Sequence, residues 1–190
     1  VPAACQAPAI ISQDTDMKTY FRSAAALLLA APLALLAQGS KHEHGVASLD
    51  IAVDAKRISV QFDTPLDNLV GFERAPRTEG ERKRVDEAVA RLKDGDQLFR
   101  FDAAAGCKLA SSSLDSPVLG LGSGTQPQGG HAELHASWDF DCADTAKATQ
   151  VEVGLFAFKQ LKRVNVQLAL PKGQARRELK RPNAKLALAP

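Results

Sequence analysis

The chain contains four histidines, and they fall into two close pairs. His42 and His44 stand in "HEHGVASLDIAV"; His131 and His135 stand in "HAELHASWDFDC". Imidazole and carboxylate are zinc ligands, and three or four such groups must converge on one ion, with nitrogen about 2.0–2.1 Å from it. On a strand, residues two apart share a face and sit about 6.6–6.8 Å apart. His42 and His44 therefore share one face, opposite by parity to the apolar one. His131, Glu133 and His135 form a second polar row. A strand places His131 and His135 roughly 13 Å apart, too far to hold one ion by themselves. The expected metal site thus draws on both segments, with His42, His44, His131, His135 and Glu133 as candidate ligands. Glu43 is a weaker candidate because its parity is opposite. The alternative is a polar strand face and a chain end that simply bear histidines. The clustering of all four histidines favours metal.

Catalysis has less support. The sequence has no His-Glu-x-x-His, no nucleophile elbow and no Gly-rich cofactor loop. The "GLGSG" piece at 120–124 lacks the Lys of a phosphate loop, and no helix is signalled after it. Asp63, Asp67, Glu73, Asp139 and Asp141 could supply an acid/base pair, but their spacing singles out no two of them. The reading is that the protein is not an enzyme.

The elements that must carry these residues are mostly strands. Residues 46–53 alternate, with Ala47, Leu49, Ile51 and Val53 on one face, as a half-buried strand does. After a polar turn at Asp54–Lys56, Ile58, Val60 and Phe62 alternate again, which predicts a β-hairpin. Pro65 ends the second strand because it has no amide hydrogen for the ladder. One helix is predicted over 79–93. Thr78 and Glu81 form a capping box, and Val85, Ala88, Val89 and Leu92 make its apolar stripe. "HAELHASWDFDC" is the most regular alternation in the chain. Further strands are expected near 97–101, in "QVEVGLFAF" and "RVNVQLAL", and in the closing "QARRELK" and "AKLALA". Residues 111–130, rich in Ser, Gly and Pro, read as a long flexible loop. The fold class is mainly β, or α+β: an antiparallel sheet or sandwich of seven or eight strands with one packed helix. Aromatic residues are 5% of the chain, so the core is expected to be built mostly from Val, Leu, Ile and Ala.

From Met17, Lys18 and Arg22 precede an uncharged Ala/Leu-rich run over Ser23–Ala37. This reads as a secretory signal peptide over 17–39, and the run is shorter than the roughly 20 residues a membrane helix needs. Residues 1–16 read as a non-translated or disordered leader ahead of a start at Met17, with a genuine extension as the alternative. Residues 40–190, about 151 residues, suit a single domain with a full core. The net charge is +2, with both signs interspersed, so nothing points to nucleic acid, and no membrane anchor is expected once the signal is removed. Cys107 and Cys142 remain after such cleavage. An even pair in an exported chain reads as a disulfide; two unpaired buried thiols are the alternative.

The segments "HEHGVASLDIAV", "TPLDNLVGFERAPRTEGER", "LFRFDAAAGCKL", "HAELHASWDFDC" and "LFAFKQLKRVNVQLALPKGQ" occur in this order. In this the chain resembles the ZrgA-like family of bacterial periplasmic zinc-uptake proteins over nearly all of 42–188. "HEHG" and "NLVGFE" are the most specific parts. The resemblance implies a periplasmic protein of Gram-negative bacteria that helps capture zinc alongside an ABC-type importer. It matches the cysteine pair and carries over His42, His44 and His131 as metal candidates. Two departures stand out. Zinc-handling members often carry a His/Asp-rich insert where this chain has "GLGSGTQPQGG". Arg74 stands where the family commonly has histidine, and a cation there would repel a metal. A metal-free periplasmic interaction domain, using the 111–130 loop and a strand edge, is the alternative reading.

Overall fold

Alternation over residues 46–53 and 57–65 does produce two strands, β1 (Val46–Val53) and β2 (Arg57–Pro65), paired antiparallel with Leu49 opposite Phe62 and Ile51 opposite Val60. The computed structural model describes residues 43–123 and 132–189. The signal-peptide and leader assignments, His42, His131 and the 124–130 part of the expected loop lie outside these described residues.

After β2 come a one-turn helix α1 (Asp67–Val70), the main helix α2 (Glu79–Lys93) and a short helix α3 (Gly95–Leu98). The remaining strands are β3 (Phe99–Phe101), β4 (Lys108–Asp115), β5 (Glu133–Asp141), β6 (Gln150–Val153), β7 (Arg163–Leu170), β8 (Gly173–Lys180) and β9 (Lys185–Ala187). Six strands form one sheet in the order β4-β5-β2-β1-β7-β8, and β3-β6-β9 form a second. The fold is therefore mainly β with one main helix, as expected, with nine strands among the described residues. The larger sheet is mixed rather than purely antiparallel, because β7 runs parallel to β1, with Val166 opposite Leu49.

Period-two burial defines the core. Leu49, Ile51, Ile58, Val60, Phe62, Leu134, Trp138, Phe140, Val164 and Val166 line the inner face and are at most 1% exposed. Val85, Ala88 and Leu92 of α2 are buried with them. Trp138 Nε1 donates to the Leu92 carbonyl at 2.7 Å, which satisfies one of the free carbonyls at the helix C-terminus. Few as they are, the aromatic residues sit centrally. Trp138 packs edge-on to Phe99 at 4.9 Å, and Phe140 to Phe101 at 5.1 Å. Aromatic content indicated the amount of aromatic core correctly and its location not at all.

The Ser-rich stretch departs from the sequence reading. Residues 111–115, expected in a loop, belong to β4, paired with β5 through Ser113–Ser137 and Asp115–His135. β4 is an edge strand whose Ser111, Ser112 and Ser113 are all exposed. With no face buried at these serines it has no alternation to read. Its start is tied to the end of β5 by a disulfide between Cys107 and Cys142, with Cα atoms 3.9 Å apart.

Candidate functional site

His44 precedes β1 by two residues, and the glycine between them decides where the ring points. Gly45 adopts φ +83° and reverses the chain. Its carbonyl accepts from the amides of Lys162 (2.8 Å) and Arg163 (2.9 Å), and its own amide donates to Asn68 Oδ1 at 2.6 Å. Asn68 is 1% exposed. Its Nδ2 donates to the Val46 carbonyl at 2.8 Å and to Thr64 Oγ1 at 3.0 Å. One buried amide thus clamps the start of β1 to α1 and to the end of β2. Partners at every polar atom make that worthwhile in a dry setting.

The clamp brings His44 to the acidic residues on either side of it. His44 Nδ1 contacts Asp67 Oδ2, and His44 Nε2 lies 3.9 Å from Glu73 Oε1. The three donor groups fall within 4.8 Å of one another. His44 is 67% exposed; Asp67 and Glu73 are 15% and 17% exposed. Asp67 Oδ1 is sequestered and accepts no hydrogen bond, a cost that a bound cation would relieve. The imidazole is held above its ordinary value of 6.5, first by the hydrogen bond to Asp67 and then by that carboxylate's charge. A proton and a metal ion would thus compete for the same ring. Lys159, Gln160 and Lys162 line a hollow of about 320 Å³ with His44, Asp67 and Asn68, so cationic stems border the site on one side.

The connector that supplies both carboxylates turns at Gly71, with φ +89° as the C-cap of α1. A Cβ there would come within 2.9 Å of Gln160 Nε2. Gly71→Ala is expected to lower stability by about 1–2 kcal/mol from the left-handed backbone alone. It also displaces Asp67 and Glu73 relative to each other, so the affinity of this cluster for a divalent metal ion should fall about tenfold. Urea melts and a zinc titration of the same variant check the two effects separately.

Arg74 does not confront this site as a bare cation. Its guanidinium makes a bidentate pair with Glu81, at 2.9 and 2.7 Å, and stacks over Phe72 at 5.0 Å. Glu81 is pushed down to about 2, chiefly by Arg74 and then by the Arg77 amide. The expected repulsion is spent on the acid of the α2 capping box.

The other sequence candidates fall elsewhere. His135 Nδ1 contacts Asp63 Oδ1 across the β5–β2 pair, and its Nε2 lies 3.6 Å from Glu133 Oε2. Among the described residues His44, Asp67 and Glu73 alone bring their ligand atoms within 4.8 Å of one another, whereas His135 makes separate contacts with Asp63 and Glu133. Of the remaining acid/base candidates, Asp139 accepts from the Ser59 and Ser111 hydroxyls, which hold its carboxyl low. Asp141 pairs with Arg57 at 3.2 Å. The lowered value makes Asp139 a weaker base. Asp67 and Glu73 stood out in the sequence only as two acids among five. The usable signal was their position flanking "NLVG", and Asn68 carried none beyond that motif.

Among the described residues no helix is long and apolar enough to cross a membrane. A comparison with family models matches residues 41–188 to the model described as ZrgA family zinc uptake protein. No curated protein matches the chain.

Proposed function

Because the chain belongs to the ZrgA family of zinc uptake proteins, we propose that it is a periplasmic accessory protein, not an enzyme, that captures zinc and passes it to an ABC-type importer. The observation that carries this reading is the His44 ring bracketed by Asp67 and Glu73, with the Asp67 carboxylate keeping one sequestered oxygen that lacks a partner. His44 and Glu73 come from "HEHG" and "NLVGFE", the segments most specific to the resemblance, and Asp67 immediately precedes the second. Zinc takes four ligands in closed sites and keeps an open position in sites that exchange. His44, Asp67 and Glu73 supply three. His42, two residues before His44, and His131, next in the chain to Ala132, are the proposed sources of a fourth. Ala132 supports the second of these, since its carbonyl accepts from the Leu66 amide beside Asp67 at 2.8 Å. An exposed imidazole suits cargo that must leave again. Export through a signal at 17–39 accords with the Cys107–Cys142 disulfide, which persists in oxidising compartments.

The test is a zinc titration of the protein across pH. Zinc must displace the proton that Asp67 helps the His44 ring to hold. Affinity should therefore fall on acidification, by up to about tenfold per pH unit below the raised ring value. The fall should begin above pH 6.5, the ordinary value. The apo protein shows the opposite sense. A raised folded value contributes stability that is complete below pH 6.5 and is lost as pH rises through the folded value. Absence of zinc binding at pH 8 would remove the proposal.

A further inference from the structure

The hollow beside His44 joins a cation site to two cations. Lys159 and Lys162 line it together with His44 and Asp67, and Gln160 completes the lysine wall. We infer that this hollow takes a small dicarboxylate anion together with the metal ion. One carboxylate completes the zinc coordination and the other is held by the two lysines. The inference rests on the zinc reading of His44, Asp67 and Glu73 given above.

Like charges repel, so two ammonium groups beside a cation site weaken it unless an anion shares the space. No acid of the described chain plays that part. Among the described residues neither lysine lies within ion-pair distance of a carboxylate. Glu43, beside His44 in the chain, is taken by Arg163 at 2.8 Å. Asp67 and Glu73 face the imidazole instead. The lysine segment is also seated on the two glycine turns that shape the metal cluster. The Lys162 amide donates to the Gly45 carbonyl at 2.8 Å. Its stem runs beside Gly45, where a Cβ would stand 3.2 Å from Lys162 Cδ. Gln160 Nε2 lies against the turn at Gly71, 2.9 Å from where a Cβ would stand. Backbone and packing therefore fix the lysine wall relative to His44 on one side and to the Asp67–Glu73 connector on the other.

Charge and size select the ligand. Zinc held by Asp67 and Glu73 is neutral as a unit, which leaves the charge of the two lysines to be matched. A dicarboxylate matches it. The hollow, of about 320 Å³, lies at the small end of ligand pockets, about 300–1,000 Å³, and suits such a molecule better than a protein segment. Exchangeable zinc sites keep a position open to water or substrate, and a carboxylate oxygen is an ordinary zinc donor. Zinc also expands from four ligands to five, so the anion is compatible with a histidine as fourth ligand.

Equilibrium dialysis of the full chain at pH 8 against radiolabelled succinate, with and without zinc, tests this. Bound zinc is measured in the same samples at fixed free zinc. The expected result is one succinate per chain, bound at least about tenfold more tightly with zinc than without it. Linkage then requires succinate to raise zinc affinity by the same factor. The double variant Lys159→Gln with Lys162→Gln should bind succinate at least about tenfold more weakly in the presence of zinc. Its zinc affinity without succinate should be equal to or above that of the unaltered protein, because two repelling charges are gone. Unchanged thermal melts show that the variant is folded, and the reciprocity in the unaltered chain tests the inference without it. Zinc retained with no succinate, or succinate retained equally by the double variant, would overturn the inference and leave the His44 reading intact. An equal gain in zinc affinity from sulfate at the same ionic strength would overturn the dicarboxylate assignment. No zinc retained under any condition would remove the His44 reading and this inference with it.

Discussion

Zinc binding by the His44→Ala variant should be at least about 100-fold weaker than that of the unaltered protein, with no measurable change in folding. The affinity loss comes from the donor count. Among the described residues His44 is the one nitrogen in its cluster, and the two carboxylates left behind, even with one further histidine, do not close a tetrahedral site for zinc. The stability result comes from exposure. The ring is 67% exposed, and surface changes away from caps and strained backbone usually lie within about 0.5 kcal/mol. Asp67→Asn sharpens the experiment. It keeps the shape of the side chain and removes the charge of a proposed ligand that also orients His44, so it should weaken zinc by at least about 10- to 100-fold. It also removes the main cause of the raised His44 value. The pH at which zinc affinity begins to fall should therefore move down in Asp67→Asn. A merely structural defect would leave that pH where it is. Isothermal titration at several pH values, with thermal melts of the same samples, reads all three quantities. An unaltered zinc affinity in His44→Ala would exclude His44 as a ligand.

Most of the scaffold could be read from the residues, and most of the site could not, for a physical reason. β1, β2 and α2 begin and end where alternation, Pro65 and the Thr78–Glu81 box place them, because these signals are local. The parallel β1–β7 pairing is set by contacts more than a hundred residues apart, which no local pattern encodes. β4 went unread because an edge strand with three exposed serines has no hydrophobic period. The site shows the same division. Histidines are rare enough for their clustering to be noticed. Their carboxylate partners are two acids among 22 acidic residues, and they sit on a connector with no periodicity. What selects them is Asn68, a buried amide whose three hydrogen bonds set His44 beside Asp67. From the sequence alone it is one polar residue in a loop. The same blindness applied to Arg74, whose charge was visible while its partner Glu81, seven residues on, was assigned only a capping role.

Breaking the Cys107–Cys142 bridge should produce the largest loss of stability of any change considered, and it should leave zinc binding nearly untouched. The bridge closes a loop spanning a sequence separation of 35. Loop-closure entropy assigns such a crosslink roughly 3–4 kcal/mol. For a domain of this size each kcal/mol moves the melting temperature by about 2–4 °C, so Cys107→Ser with Cys142→Ser should melt roughly 6–16 °C lower. The position of the bridge explains the second half of the result. It joins β4 and β5 where Lys108 faces Asp141, and the same two strands reach Asp115 and His135 at their other end. Seven strand steps separate the two ends, roughly 23 Å at the usual rise. β5 is held on its inner side by the full register with β2 and by Trp138 donating to the Leu92 carbonyl. Loss of the crosslink therefore frees the edge strand from its Cys107 end without releasing β5. The His44 cluster depends on β1, α1 and the Asn68 clamp, none of which touches the bridge. Zinc affinity measured well below the lowered melting temperature should stay within about threefold of the unaltered protein. A parallel collapse of stability and zinc affinity would mean that β4 and β5 help to hold the His44 site, and would direct the search for its fourth ligand to the segment between them.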